Sequence, residues 1–309
     1  MCARHACSPL EALLVDSAFD ADVYPDEPMR RHTMYRIGGP ARFYVQVGSI
    51  GALKRLVAAC RECAIPWVAV GRGSNLLVSD EGFPGVVIAL GRDFRACRFD
   101  EETCSFIVGA GVPLSSVVQE AFRRSLSGLE FAVGTPGTVG GAVRMNAGTR
   151  EQGIADRVVS VTTLSPQAGL VRREAADIQW GYRSSSFAPD EVIVECELAV
   201  KPADPYLLRG KMEEAHARRK KTQPLTLPSC GSVFKNPEGS SAGQLIEQVG
   251  LKGERVGGAQ ISEIHANFIV NRDNATAQDV LELINMARSK VYEAYGIELQ
   301  PEVRFLGFA

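Results

Sequence analysis

The sequence predicts an α+β fold in about two or three domains. Three observations carry this prediction. Strand and helix patterns alternate through the first third of the 309 residues, strands dominate the middle, and the proline pair of KPADP (Lys201–Pro205) separates that middle from a last stretch with two helical patterns. Length agrees, since single cores stop growing near about 250–300 residues.

The elements follow in order. Leu53, Leu56, Val57 and Cys60 repeat at helical spacing within Ile50–Cys63, and the apolar run Trp67–Val70 reads as a short buried strand feeding into GRGSNLLV. Val86–Leu90 and Ser105–Gly111 are further strands, and Pro113 opens a helix through Val117, Val118, Ala121, Phe122 and Leu126. Val158–Leu164 and the alternating Val192–Val200 are strands, and the proline break puts a domain boundary near residue 204. Beyond it, Tyr206–Lys221 is helical and ends in Arg218, Arg219, Lys220 and Lys221, which either cap a solvated helix end or face a diphosphate. His265–Asn271 reads as a strand. Thr276 and Asp279 then form a capping box ahead of a helix whose Val280, Ile284, Ala287, Val291 and Tyr295 share one core-facing side, with Gly296 as the C-terminal cap.

Composition removes several classes of function. With 34 basic against 36 acidic residues and a net charge of −2, no broad affinity for nucleic acid or a membrane surface is expected. The apolar patch Leu10–Val15 is interrupted by Glu11 and no stretch has the length of a bilayer span, so a cytoplasmic protein is expected. Cysteines at 2, 7, 60, 63, 97, 104, 196 and 230 are scattered irregularly and read as reduced thiols, the Cys60/Cys63 pair as ordinary buried ones. His5, His32, His216 and His265 have no ligand spacing, so no metal is expected.

Chemistry concentrates in five motifs. In GRGSNLLV, Gly71 and Gly73 allow close backbone approach while Ser74 and Asn75 add donors, which suits a pyrophosphate. GTPGTVGGAVRMNAG (Gly134–Gly148) has the same composition, with Thr138 and Asn146 as its donors, and a dinucleotide is long enough to need two such loops. The first loop is not a Rossmann fingerprint: Asn75 stands where the third glycine belongs, no strong helix pattern follows, and no acidic residue closes a second strand. CGSVFKNP (Cys230–Pro237) sets the Ser232 hydroxyl between a glycine and an aromatic residue, with Lys235 and Asn236 just downstream. GYRSSSF (Gly181–Phe187) and PEVRF (Pro301–Phe305) supply an arginine and a carboxylate.

Together with YRIGGPARF (Tyr35–Phe43) and AGQLIEQVGLKG (Ala242–Gly253), these motifs run in one order from about residue 33 to the C-terminus. They resemble the UDP-N-acetylenolpyruvoylglucosamine reductases, flavoenzymes of peptidoglycan precursor synthesis. GYRSSSF and the direct run into PSCGSVFKNP resemble the second class of that family, which lacks a tyrosine-bearing closing loop. The resemblance implies an FAD-binding fold of the vanillyl-alcohol oxidase/PCMH type in two lobes, residues 1–85 and 86–204, followed by a smaller α+β substrate-binding domain over 205–302. Residues 303–309 would pack with the first lobe.

The resemblance also implies roles. Arg183 grips the substrate carboxylate, Ser232 donates a proton to the alpha carbon, and Glu302 holds or supplies a proton at the same intermediate. Tyr182, Asn236 and Gln244 match residues that face substrate in the family, and His265, which stands where some relatives have glutamine, either faces substrate or is a histidine at a strand start. From the basic helix end, Lys221 or its neighbour Lys220 is the candidate for a phosphate of the substrate. Gly71, Gly73, Ser74, Asn75, Leu76 and Leu77 of the first loop and Pro136, Gly137, Thr138, Gly141, Asn146 and Gly148 of the second bind FAD. No histidine or cysteine interrupts either loop, so FAD is expected to be non-covalent, with NADPH as hydride donor. Only small-molecule partners are expected, and no oligomer is implied. Rival readings are another flavin oxidoreductase or oxidase on the same scaffold and a non-catalytic UDP-sugar-binding protein. In the absence of the resemblance, Arg183 as a surface ion pair, Ser232 as a turn cap and Glu302 as an exposed strand residue would be the readings.

Overall fold

The computed structural model describes residues 8–149 and 152–308. The chain divides into two compact units, one built from Met1–Asp26, Arg42–Gly71 and Pro84–Lys211, the other from Glu27–Ala41, Arg72–Phe83 and Met212–Ala309.

Two sheets organise the first unit. A four-stranded sheet has the order Ala21–Pro28, Pro40–Val47, Phe83–Leu90, Trp67–Val70, its last pair parallel with Trp67 opposite Val86. Trp67–Val70 is the outermost strand and stays half-buried, where the sequence predicts a buried one. A five-stranded antiparallel sheet has the order Gly169–Glu174, Val158–Ser165, Val192–Ala199, Ser105–Gly109, Cys97–Asp100. The helix Ile50–Glu62 begins at Ser49, whose Oγ accepts from the Ala52 N–H, and buries Leu53, Leu56, Val57 and Cys60 along one stripe. These side chains share a core with Leu10, Leu13, Val45, Val86 and Ile88 and with Leu164 and Val192 of the five-stranded sheet. The Pro113 helix covers Leu114–Arg123 only; Leu126 instead starts a short strand whose partner is Lys201–Pro202. The proline-rich segment thus contributes a ladder, and the helix Pro205–Thr222 starts directly after it with Leu208 as its one buried residue.

Helices and short strands build the second unit. Arg255–Val256, Ala259–Ile261 and Ile269–Asn271 form an antiparallel sheet, and Leu76–Val78 pairs in parallel with Arg304–Leu306. The helix Ala277–Tyr295 has a complete Thr276/Asp279 capping box and ends on Gly296 at φ 66°. The Asp80 carboxylate accepts from the Ala277 and Gln278 N–H groups, placing a second anion at the positive end of the helix. Val280, Ile284, Ala287 and Val291 are buried against Leu77, Val233, Phe234 and Leu245, whereas Tyr295 at the last turn is exposed. The expected strand His265–Asn271 shortens to Ile269–Asn271, because Asn267 turns its polar groups toward Val233 and Phe234 instead of a sheet ladder.

The six cysteines among the described residues are free, and burial pushes the Cys60 thiol up to about 12. The expectation of reduced thiols at Cys2 and Cys7 lies outside the described residues. No helix among the described residues is long and apolar enough to cross a membrane, and none of their side chains form a metal-binding group.

Candidate active site

In the first unit, the strand Trp67–Val70 delivers Gly71 against the second glycine loop. A Cβ on Gly71 would lie 2.5 Å from Thr138 Oγ1, so no larger residue fits without moving that threonine. Thr138 is buried and its Oγ1 accepts from the Gly141 N–H at 3.3 Å, which starts the short helix Val139–Arg144. Main-chain bonds tie this loop to its neighbours: Leu114 N–H donates to Gly137 O at 3.1 Å and Gly140 N–H to Ala110 O at 2.9 Å. Pro136 and Gly141 are exposed. Gly71, Gly137 and Gly141 thus present bare backbone beside a fixed hydroxyl, an arrangement that fits a diphosphate of FAD.

The same loop holds the arginine hairpin. Trp180–Gly181 pairs with Ser184–Ser185, leaving Tyr182 and Arg183 as a two-residue turn, with Arg183 at φ 55°. Asn146 Nδ2 donates to Gly181 O at 3.0 Å, Arg183 Nη2 to Gly148 O at 2.7 Å, and Ser185 Oγ to Arg144 O at 2.7 Å. The Arg144 guanidinium donates to the carbonyls of Phe187, Ala188 and Glu191, clamping the chain beyond the hairpin. Tyr182 is exposed, and the Arg183 guanidinium carbon lies 5.1 Å from its ring centroid. Asn146 and Gly148, read from sequence as cofactor contacts, therefore also anchor the arginine.

In the second unit, the rest of the first loop leads into the Leu76–Val78 strand. Gly73 is buried at φ 59°, where a Cβ would meet His32 O at 2.3 Å, and Leu77 packs in the core. Ser74 and Leu76 are half-buried. Asn75 bridges to the carboxylate-bearing segment and the start of the strand after it: its Nδ2 donates to Glu302 O at 3.1 Å, and its own carbonyl accepts from Arg304 N–H at 3.0 Å.

Ser232 sits on a segment held from both sides. Gly231 turns at φ 82°, a backbone conformation that favours glycine. On one flank, Glu302 N–H donates to Val233 O at 2.7 Å and Lys235 N–H to Gln300 O at 2.9 Å. On the other, Val233 N–H donates to Asn267 O at 2.8 Å, and the Asn267 amide both accepts from Phe234 N–H and donates to Phe234 O. Ser232 and Glu302 are thereby brought together at the backbone level, while Arg183 belongs to the first unit. Burial pushes the Cys230 thiol up to about 12, and the Glu302 charge adds to the rise.

Around the helix Ala242–Gln248 lie three of the expected substrate contacts. Asn236 Oδ1 accepts from Ala242 N–H at 3.0 Å, Gln244 is exposed on the helix, and the His265 ring lies 3.0 Å from where a Cβ on Gly243 would stand. Asn267 N–H donates to His265 Nδ1 at 3.2 Å, so the neutral ring carries its proton on Nε2. Burial and the Lys252 charge hold its pKa below the usual value. Lys221 is exposed at the end of its helix; two positions earlier, burial lowers the pKa of half-buried Arg219. Asn267 and Arg144 escaped the sequence reading. An asparagine inside the apolar run of HANFIVN was the available signal for the former, since asparagine is depleted in strands.

Residues 41–173 match an FAD binding domain family, and residues 223–306 match the C-terminal domain of UDP-N-acetylenolpyruvoylglucosamine reductase. The UDP-N-acetylenolpyruvoylglucosamine reductase of Heliobacterium modesticaldum is 46% identical over 91% of this chain and 90% of its own length. A second such reductase, from Symbiobacterium thermophilum, is also 46% identical, over 91% of each chain. The crystal structure of UDP-N-acetylenolpyruvylglucosamine reductase from Thermus caldophilus superposes with a TM-score of 0.80 at 38% identity, covering 93% of this chain and 98% of that one. Fold and loops define an α+β FAD-binding oxidoreductase. Within that class, the chain belongs to the UDP-N-acetylenolpyruvoylglucosamine reductase family.

Proposed function

We propose that the protein reduces UDP-N-acetylglucosamine enolpyruvate to UDP-N-acetylmuramate at the expense of NADPH, with Arg183, Ser232 and Glu302 as its catalytic residues. The residues that would hold FAD are Gly71, Gly73, Ser74, Asn75, Leu76 and Leu77 of the first loop and Pro136, Gly137, Thr138, Gly141, Asn146 and Gly148 of the second. When bound, FAD supplies the hydride for the enolpyruvyl CH2 carbon, having received it from NADPH.

Everything else falls to side chains. Negative charge develops through the alpha carbon into the substrate carboxylate, and Arg183 meets it with two parallel N–H donors that strengthen as the charge grows. Ser232 delivers a proton to the alpha carbon, and Glu302 holds a proton at the same intermediate. Serine is a weak acid, so the transfer requires the developing carbanion and a neighbour that supports the oxygen left behind. The observation that carries this assignment is the 2.7 Å bond from Glu302 N–H to Val233 O, which fixes the carboxylate-bearing residue next to the residue following Ser232. Tyr182, Asn236, Gln244 and His265 hold the sugar and enolpyruvyl groups, and Lys221 meets a phosphate of the nucleotide.

The test separates the two half-reactions. Purified protein carries FAD, NADPH reduces it anaerobically faster than NADH does, and the enolpyruvyl ether then reoxidises it with formation of UDP-N-acetylmuramate. NADPH and substrate act in turn, so double-reciprocal plots are parallel. Intersecting lines with a stable ternary complex, or NADPH oxidation that needs oxygen rather than the enolpyruvyl ether, would exclude the reading.

A further inference from the structure

We infer that Asn267 is the positioning residue of the proton donor, a role that rests on the proposed function of Ser232. Asn267 is 3% exposed and uses its main chain and its side chain on the same two residues, Val233 and Phe234. Its carbonyl accepts from Val233 N–H at 2.8 Å, its Oδ1 from Phe234 N–H at 2.9 Å, and its Nδ2 donates to Phe234 O at 2.8 Å. The carbonyl left over on this stretch, that of Val233, takes the Glu302 N–H. Val233 and Phe234 therefore have both N–H groups and both carbonyls committed, and the serine immediately before them inherits a fixed backbone.

The amide matches this segment in a way few side chains could. An amide side chain offers an acceptor and a donor in one plane, which mimics a neighbouring strand where the actual strand, Ile269–Asn271, has not yet begun. A buried amide with all its groups paired has one low-energy orientation, because each alternative leaves a polar group unsatisfied. Asn267 is itself oriented by the turn before it. Its N–H donates to His265 Nδ1, Phe268 N–H closes the turn on His265 O at 2.9 Å, and Ser262 N–H donates to Phe268 O at 2.8 Å. Hydrogen bonds thus run from this turn to the two residues that follow Ser232.

The experiment compares Asn267→Leu, which keeps the branching of the side chain and removes the amide, with Asn267→Asp, which keeps an acceptor for Phe234 N–H. A stability control is Val280→Ala, in the same core but on the helix Ala277–Tyr295. Flavin reduction by NADPH and reoxidation by the enolpyruvyl ether are timed separately on the FAD-loaded enzymes. Misplacement of a reacting group by about 1 Å costs on the order of 100-fold. Asn267→Leu should slow reoxidation by about that factor, in kcat rather than KM, and leave reduction within about twofold. Asn267→Asp should fall between it and the parent, and it decides the matter if Asn267→Leu does not fold. Equal slowing of both half-reactions, reoxidation at the parent rate, or the same loss in Val280→Ala would overturn the inference. If the parent turns over and Ser232→Ala is slow while Asn267→Leu is not, this inference alone falls; a parent that never reduces the enolpyruvyl ether removes the proposed function as well.

Discussion

Asn75 donates its side-chain amide to the main-chain carbonyl of Glu302 at 3.1 Å, so the first glycine loop and the carboxylate-bearing segment ahead of the strand Arg304–Leu306 are hydrogen-bonded to each other. The parallel register of Leu76–Val78 with Arg304–Leu306 continues that tie for three residues. A parallel arrangement exists in the other unit, where Asn146 and Gly148 of the second loop bond to Gly181 and Arg183. Each glycine loop therefore carries one of the charged groups assigned to the chemistry.

Asn75→Ala removes the donor to Glu302 O and leaves that carbonyl without its side-chain partner. A loss of about 1 kcal/mol in stability is expected, since one intramolecular hydrogen bond contributes about that much net. Denaturant unfolding of the FAD-loaded variant measures it. Unchanged stability would mean that the pair of main-chain bonds holds the strand alone.

Gly71→Ala should weaken FAD retention, because its Cβ would press on Thr138 Oγ1 and disturb the start of the Val139–Arg144 helix. Gly210→Ala is the opposite case. Apart from the helix's own backbone, nothing lies within 4 Å of a Cβ there, and the residue is exposed in the helix Pro205–Thr222, so a gain of about 0.5–1 kcal/mol is expected. The flavin-to-protein absorbance ratio after purification reads the first, and thermal unfolding the second.

His265 makes stability depend on pH. Burial and Lys252 lower its folded pKa below 6.5, so between the two values the unfolded chain binds the proton and the folded chain does not. Stability present above about pH 6.5 is thus lost progressively as pH falls toward the folded value. Denaturant unfolding at about pH 7 and 5 should show a smaller difference in His265→Gln than in the parent. An equal difference would mean that the ring does not contribute.

The elements that read correctly from sequence are those with local causes. Ser49, Thr276 and Gly296 cap helices whose apolar stripes are visible at spacings of three and four. What stayed hidden depends on partners distant in the chain. Trp67–Val70 looks buried by composition, but its position at the sheet edge is decided by which strands pair. His265–Asn271 has a strand's residues, yet Asn267 finds its partners 33 positions away at Phe234 and pulls its end of the run into a turn. Tyr295 keeps the helical spacing and still faces out, because the helix ends one residue later at Gly296. The candidate catalytic residues were legible as motifs, and Asn75 and Asn146 as donors of their loops; that these two tie down Glu302 and the arginine hairpin, and that Asn267 holds Phe234, was not, because each partner lies far along the chain.

Rapid mixing of NADPH-reduced Ser232→Ala with the enolpyruvyl ether tests most directly whether Ser232 is the proton donor. Reoxidation should be slowed by about 10²–10⁴-fold, the loss expected for a positioned acid, while reduction by NADPH stays within about twofold of the parent. Reoxidation at the parent rate, or equal slowing of both half-reactions, would contradict the assignment.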